Sequence, residues 1–425
     1  MKHLSRRHFL VLFGAAVVGT KLMGSGDRET LLALPKGLNY RLLSREGDRM
    51  SDGSLTPGRF DGMAAFATPD GNIALIRNHE LMPNDPTEVA ANSSQRYDAL
   101  CRGGTTTLIV SQERELKEHF VSLAGTVRNC AGGVTPWGSW ISCEEHMLTP
   151  ADNIFNDPQI RVSRPHGYNF EVPIHAKEPV SPEPLIAMGR FFHEAIAVDP
   201  QTNIIYQTED RGDGLFYRFI PNEPENLKAG GVLEALKIKE LPQVKTQLDF
   251  PIDVAMAVEW VKIDEVDPPF DTIRREGFAK GAAQFARGEG ICYDRGQFYF
   301  TCTSGGRAQS GQIWRYTPGN SSRDGGEISL IVQPDDRQIM NFPDNLIMAP
   351  WGDLIVCEDG PGVNGLVKVS ADGQCDRFAE NVYNGSELAG VCFSPDGQTM
   401  FVNIYNPGMT FAIWPENEDW VQVLA

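Results

Sequence analysis

Between residues 60 and 405 the chain repeats one pattern: a short apolar run, a turn rich in Pro, Asp or Gly, then a second apolar run. Ala65–Thr68 passes through Pro69-Asp70-Gly71 into Ile73–Ile76, and Ala195–Val198 through Asp199-Pro200 into Ile204–Gln207. The pattern returns at Ile291–Cys302, at Leu346–Cys357 around Pro350-Trp351-Gly352, and at Leu388–Ile404 around Ser394-Pro395-Asp396-Gly397. Several copies run on into a further strand with glycine, apolar and aromatic residues, as in Gly214–Phe219, Gly311–Tyr316 and Gly365–Val369. Strand pairs in units of roughly 40–60 residues are the signature of a β-propeller. A parallel β-helix or two sandwiches fit the repeat length less well. The expectation is an all-β fold, a β-propeller with inter-blade insertions, the Pro- and charge-rich stretch 145–190 being one of them. Helical periodicity is weak, and Glu113–His119 and the acidic 255–280 stretch read as short helices or loops.

Charge narrows the function. The 425 residues carry 38 basic and 56 acidic side chains, a formal charge of −18. Such a field repels phosphate backbones and anionic lipid heads, so neither nucleic acid nor a membrane surface is an expected partner. A protein this anionic that handles an anionic substrate needs bound cations to invert its local field.

The first 25 residues differ from the rest. Lys2, Arg6, Arg7 and Lys21 are there without an acid, and Ser5-Arg6-Arg7-His8-Phe9-Leu10 precedes an apolar run to Gly19. This reads as a twin-arginine export signal at 1–25, ahead of one catalytic propeller domain at 26–425. The apolar run is shorter than the roughly 20 residues that span a bilayer, so stable membrane insertion is not expected. The twin-arginine machinery is then a partner, and the periplasm or exterior the destination of the folded protein. No clear Ala-x-Ala cleavage site follows. Eight cysteines are irregularly spaced, several inside apolar strand-like runs, where a thiol acts as a small hydrophobe; Cys143, beside two acids, is set apart from them.

Acids recur at the ends of inner-strand candidates: Glu80, Glu144 and Glu145, Glu194, Glu209 and Asp210, Glu289, Asp344, Glu358 and Asp359, and Glu387. In a propeller, strand ends from successive blades converge at one mouth of the channel. Carboxylates gathered there repel each other unless metal ions supply compensating charge. His79, His146 and His193 adjoin these acids, either as partners that orient ligands or as hydrogen-bonded core histidines. Gly360–Gly365 matches G-x-G-x-x-G, but it lies between two strand segments with no helix to follow and reads as a turn.

The segment Asn129–Glu145, together with Gly189–Glu194, Thr208–Phe219 and the export signal, resembles the PhoX-type alkaline phosphatase family, over about residues 30–415. The resemblance implies a six-bladed propeller, an oxide-bridged ferric iron pair with several calcium ions, and release of phosphate from small phosphomonoesters by an oxide or hydroxide nucleophile. It casts Cys143 as the iron-binding thiolate, with Glu144 and Glu145 as iron or calcium ligands. Glu80, Glu194, Glu209 and Glu289 complete the carboxylate set, while Asp210, Asp344, Glu358, Asp359 and Glu387 fall to calcium. Arg287 matches the family's substrate arginine and Asn129 a second phosphate donor. The chain departs from the family in reading Arg287-Gly288-Glu289 where Arg-Pro-Glu is the pattern, and it is shorter than the larger members. Two rival readings remain: a calcium-dependent lactonase-type propeller with a base such as Glu80, and a non-enzymatic, calcium-stabilised binding propeller. A closed propeller has no need to oligomerise, and a monomer is expected.

Overall fold

The apolar–turn–apolar units become antiparallel strand pairs, because each turn reverses the chain where glycine or proline permits it. The computed structural model describes residues 30–152, 160–248, 250–321 and 324–424; the expected export signal lies outside them. Two strands, β1 (Leu32–Ala33) and β2 (Leu38–Arg45), precede the repeated units. The first unit holds β3 (Phe60–Ala67), β4 (Ile73–His79), β5 (Gly103–Val110) and β6 (Leu116–Thr126). The second holds β7 (Asn129–Val134), β8 (Ser139–Glu144) and β9 (Asn169–Pro173). The third runs β10 (His193–Val198), β11 (Ile205–Glu209), β12 (Phe216–Pro221), β13 (Gly231–Ile238) and β14 (Met256–Lys262). After helix α1 (Ile273–Ala279), the fourth holds β15 (Gly288–Asp294), β16 (Gln297–Cys302), β17 (Gln312–Thr317) and β18 (Glu327–Val332). The fifth holds β19 (Pro343–Met348), β20 (Leu354–Glu358), β21 (Gly365–Val369) and β22 (Cys375–Asn381). The last holds β23 (Leu388–Phe393), β24 (Met400–Ile404) and β25 (Met409–Pro415), followed by helix α2 (Trp420–Leu424).

Within each unit neighbouring strands are antiparallel meanders. The first strands β3, β7, β10, β15, β19 and β23 pack each against the next, and β23 returns to β3. They enclose a cavity of about 460 Å³, lined in turn by Gly62–Ala65, Ala131–Val134, Ala195–Val198, Gly290–Tyr293, Asn345–Met348 and Gly390–Phe393. The fold is an all-β propeller. Its ring is closed by the two ends of the chain: β2 pairs with β25 from Leu38 opposite Pro415 to Arg45 opposite Met409. Closure of this kind leaves no open seam between the first unit and the last.

Packing between units is aromatic-rich. Phe216 stacks on Phe300 with ring centroids 4.4 Å apart, and Tyr206, Phe285, Trp314 and Tyr316 join the same cluster. Burial of each such side chain contributes roughly 1.5–3 kcal/mol. Nearer the axis, bulk is excluded. A Cβ on Gly62 would lie 2.5 Å from Ala131 Cα, and one on Gly290 2.7 Å from Asn345 Cα. Three segments differ from the sequence reading: Glu113–His119 forms a turn and the start of β6, 255–280 supplies β14 and α1, and the insertion 145–190 contributes β9, the third strand of its unit.

Candidate active site

Antiparallel pairing places the start of each first strand beside the end of the second, so three positions recur at this end of every unit. The residue just before the first strand is Arg59, Arg128, Phe192, Arg287, Phe342 or Glu387. The second residue of that strand is Asp61, Cys130, Glu194, Glu289, Asp344 or Ala389. The residue just after the second strand is Glu80, Glu145, Asp210, Thr303, Asp359 or Tyr405. Every first strand also carries a register shift close behind, between Phe60 and Met63, Asn129 and Gly132, His193 and Ile196, Gly288 and Ile291, Pro343 and Leu346, and Ala389 and Cys392. A bulge turns a side chain away from the direction that regular pleating would give it. Here it recurs immediately after the residues that carry the chemistry.

Nine of these residues form a continuous cluster. Asp61, Glu80 and Cys130 bring one ligand atom each within 4.8 Å of one another; so do Cys130, Glu145 and Glu194, then Glu194, Glu289 and Asp344, then Asp344, Asp359 and Glu387. Cys130, Glu194 and Asp344 each belong to two groups, so the four groups form one chain. The Cys130 Sγ lies 3.4 Å from Asp61 Oδ2 and 3.3 Å from Glu194 Oε1.

Electrostatics make this arrangement costly by itself. Burial, reinforced by neighbouring acids, drives the pKa values of Asp61 and Glu194 well up, and burial followed by Asp359 pushes Asp344 up to about 8. Glu145, Glu289 and Glu387 are raised in the same way, and burial followed by Asp61 raises the Cys130 thiol. Two like charges 4 Å apart repel by about 4 kcal/mol at an effective dielectric of 20. Moreover, Asp61 Oδ1 and Glu194 Oε2 are buried with no hydrogen-bond partner. Buried carboxylate oxygens are rarely left so, and a cation between them answers both problems. A thiolate among carboxylates suits a small, highly charged transition-metal ion, whereas the oxygen-only end suits a harder one. The residues fit a multi-metal centre.

Two arginines bound the cluster. Arg128 Nε donates to Glu80 Oε1 at 2.6 Å and its Nη2 lies 2.8 Å from Glu145 Oε2. Arg287 Nε and Nη2 grip Asp210 at 2.8 and 3.1 Å, and Nη2 also donates to Glu289 Oε1 at 2.7 Å. Glu289 first, then Asp210, outweigh burial and keep Arg287 charged. Both arginines hold left-handed backbone, with φ of +44° and +54°. Non-glycine residues adopt this conformation at a cost and concentrate at functional sites.

Several residues expected at the centre point elsewhere. Alternation along a strand sends adjacent side chains to opposite faces, so of each acidic pair only the second reaches the mouth. Glu144 accepts hydrogen bonds from the backbone of Val127, Gly167 and Tyr168 and pairs with His166 at 2.6 Å. Glu209 accepts from Tyr217 Oη and Leu215 N. Glu358 pairs with Arg377 and accepts from Asn341 N. Cys143 is buried in an apolar cluster with Ile141, Leu185 and Phe191, so the thiol that the structure places among acids is Cys130. Asn129 bonds Ser142 and Thr126 and organises its own turn rather than the mouth. Asp210 reaches the mouth only as the partner of Arg287. His79 and His193 bond backbone oxygens of Gly58 and Gly189 as core histidines do, while His146 packs on the Phe192 ring.

Sequence reasoning passed over Asp61, Cys130, Arg59 and Arg128. Their signal was positional: Phe60-Asp61, Asn129-Cys130, His193-Glu194, Gly288-Glu289 and Pro343-Asp344 all open a first strand.

The model of one family, alkaline phosphatase PhoX, matches residues 18–119 and 112–408. The chain belongs to the PhoX alkaline phosphatase family. Among solved structures, PhoX of Pseudomonas fluorescens in complex with vanadate, a transition state analogue, superimposes with a TM-score of 0.72 at 19% identity, covering 92% of this chain and 97% of that one. A gluconolactonase of Xanthomonas campestris aligns at TM-score 0.40 and 12% identity, over 88% of this chain and 98% of that one. No curated protein matches the sequence. PhoX membership and the acid-lined mouth agree on metal-dependent phosphatase chemistry.

Proposed function

We propose that this protein is a metal-dependent phosphomonoester hydrolase working at the mouth of a six-bladed propeller. Iron would be held at the Cys130 end, by Asp61, Glu80, Cys130, Glu145 and Glu194, and calcium at the end formed by Glu289, Asp344, Asp359 and Glu387. The observation that carries this is the chain of eight carboxylates, six of them buried, and one buried thiol, with two oxygens left unpartnered. Bound ions supply Lewis-acid charge for the phosphoryl oxygens and an acidified water as nucleophile. The protein's own groups bind and orient. Arg287 is clamped through Nε and Nη2 by Asp210 and Glu289, so its guanidinium plane is set before substrate arrives. Among the described residues its Nη1 has no partner, and it donates to a phosphate oxygen in a charge-assisted bond. Arg128, held by Glu80 and Glu145, offers a second donor from two units away around the ring. Preorganised cations of this kind act where charge develops and need no rearrangement in the reaction.

The test joins elemental analysis, the visible spectrum and phosphate release. Iron and calcium, an absorption band lost in Cys130→Ala but kept in Cys143→Ala, and release of phosphate from small monoesters are expected. Calcium without iron would overturn the assignment at Cys130. We also propose that residues 1–25 direct export of the folded, metal-loaded protein to the periplasm; exchange of Arg6 and Arg7 for lysine should keep it in the cytoplasm.

A further inference from the structure

Three arginines stand just before first strands in left-handed backbone, and two of them are clamped by carboxylates. The third, Arg59 (φ +53°), has one carboxylate partner among the described residues, Asp85 at 3.6 Å, and its side chain is 38% exposed. It is three units from Arg287 around the ring, across the mouth. Its guanidinium lies over the Tyr405 ring, 5.3 Å from the centroid. Beside it opens a pocket of about 370 Å³, lined by Arg59, Tyr405, Asn384, Ser386 and two members of the metal cluster, Asp359 and Glu387.

The pocket wall is assembled in advance. Asn384 Nδ2 donates to Asn406 O at 2.8 Å, and its Oδ1 accepts from Asn381 Nδ2 at 2.9 Å and from Ser386 N at 3.0 Å. Ser386 Oγ accepts from Asn406 N at 3.0 Å, which leaves its hydroxyl hydrogen to donate. The wall is therefore polar and rigid, with one cation at its edge. A phosphate held between the cluster and Arg287 must send its alcohol out of the mouth, and this pocket adjoins the cluster through Asp359 and Glu387, with Arg59 at its edge.

We propose that this pocket is the leaving-group subsite and that Arg59 sets its specificity, favouring phosphomonoesters whose alcohol carries a second anion such as a carboxylate. This rests on the phosphatase reading. Hydrolysis breaks the bond from phosphorus to the alcohol oxygen, water supplies the new oxygen, and the alcohol leaves protonated with its carboxylate still paired to Arg59. A partly exposed guanidinium contributes less than a buried one, so the expected effect is about ten-fold.

The experiment compares 3-phosphoglycerate with glycerol 3-phosphate, matched except for the carboxylate, on the metal-loaded protein. Wild type is set against Arg59→Asn, since asparagine tolerates left-handed backbone, and against Arg59→Lys, which keeps the charge. The ratio of kcat/KM for the two esters should fall about ten-fold in Arg59→Asn, chiefly through KM, and only in part in Arg59→Lys. Raised salt should shrink the wild-type ratio. An unchanged ratio in Arg59→Asn, with both esters turned over, overturns the inference. Thermal shift separates the two readings. If wild type hydrolyses neither ester, yet 3-phosphoglycerate stabilises it more than glycerol 3-phosphate and the excess vanishes in Arg59→Asn, the phosphatase reading falls and the subsite stands.

Discussion

Two buried places in this molecule gather a thiol, acids and positive charge, and they are built on opposite terms. Around His166, every acid is answered. Asp98 accepts from Leu100 N at 2.8 Å and Arg164 N at 3.0 Å, and Glu144 from three backbone amides. His166 bridges them, with Nδ1 2.6 Å from Glu144 and Nε2 3.4 Å from Cys101 Sγ. Burial opposes its charge, but Glu144 and the hydrogen bond to Asp98 raise its pKa well above the usual value. At the channel mouth, by contrast, acids outnumber cations, their pKa values are raised, and two oxygens have no partner. Both groups have the residue types of a metal site. What separates them is whether the protein itself satisfies the ligand atoms: a completed network is structure, and an uncompleted one awaits an ion.

The largest expected effect breaks the comparison at its thiols. Cys130→Ala should lower phosphate release at least about 100-fold and reduce bound metal. Cys143→Ala leaves metal content unchanged and costs about 1–2 kcal/mol of stability, as a small buried apolar truncation does. Next come the acids. Glu144→Gln should destabilise by about 1.5–3 kcal/mol with or without metal, because it removes the nearer of the two carboxylates that hold the buried His166 charge. Glu194→Gln should stabilise metal-free protein by about 1–2 kcal/mol, the worth of roughly one pKa unit of relieved repulsion. The same change should weaken metal loading. Denaturant unfolding with and without chelator measures both.

The pH dependence follows with signs that differ between the two places. Mouth carboxylates are raised in the folded, metal-free protein, so the folded state holds protons that the unfolded chain has lost. Metal-free stability should therefore fall as pH climbs from about 4, where unfolded carboxylates ionise, through the raised folded values, Asp344 at about 8 among them. Bound ions remove that slope. The His166 contribution is full below its unfolded value of 6.5 and lost as pH rises through its higher folded one. That of Asp98, whose folded pKa is depressed against burial chiefly by its His166 bond, is full above 3.8 and lost as pH falls. Thermal melts from pH 4 to 9, with and without chelator, show whether the slope belongs to the mouth. The smallest effect is Tyr217→Phe, which should cost about 1 kcal/mol by removing the bond to Glu209, with no change in metal content; any loss of metal would place Glu209 in the centre after all.

Much of this was legible in the residues. Paired apolar runs around Asp-Gly and Pro turns identify the strands, since two half-buried strands and a reversal need little more. The acids at strand ends were visible too: seven of the eight cluster carboxylates, all but Asp61, stand out in the sequence beside or at the start of apolar strand-like runs. Ring closure by β2 against β25 joins segments over three hundred residues apart and has no local signal.

What the chain by itself determined is therefore the kind of fold and the kind of chemistry: repeated meanders, and more carboxylates at one rim than the protein's own cations can neutralise. Which atoms meet was decided only in three dimensions. Glu144 and Glu145 are neighbours of one type, as are Glu209 and Asp210, and Cys130 and Cys143 are both thiols in one motif. A shift of one residue in register exchanges core for channel, and the bulge that sets that register at each first strand appears only in the pairing of that strand with its neighbour.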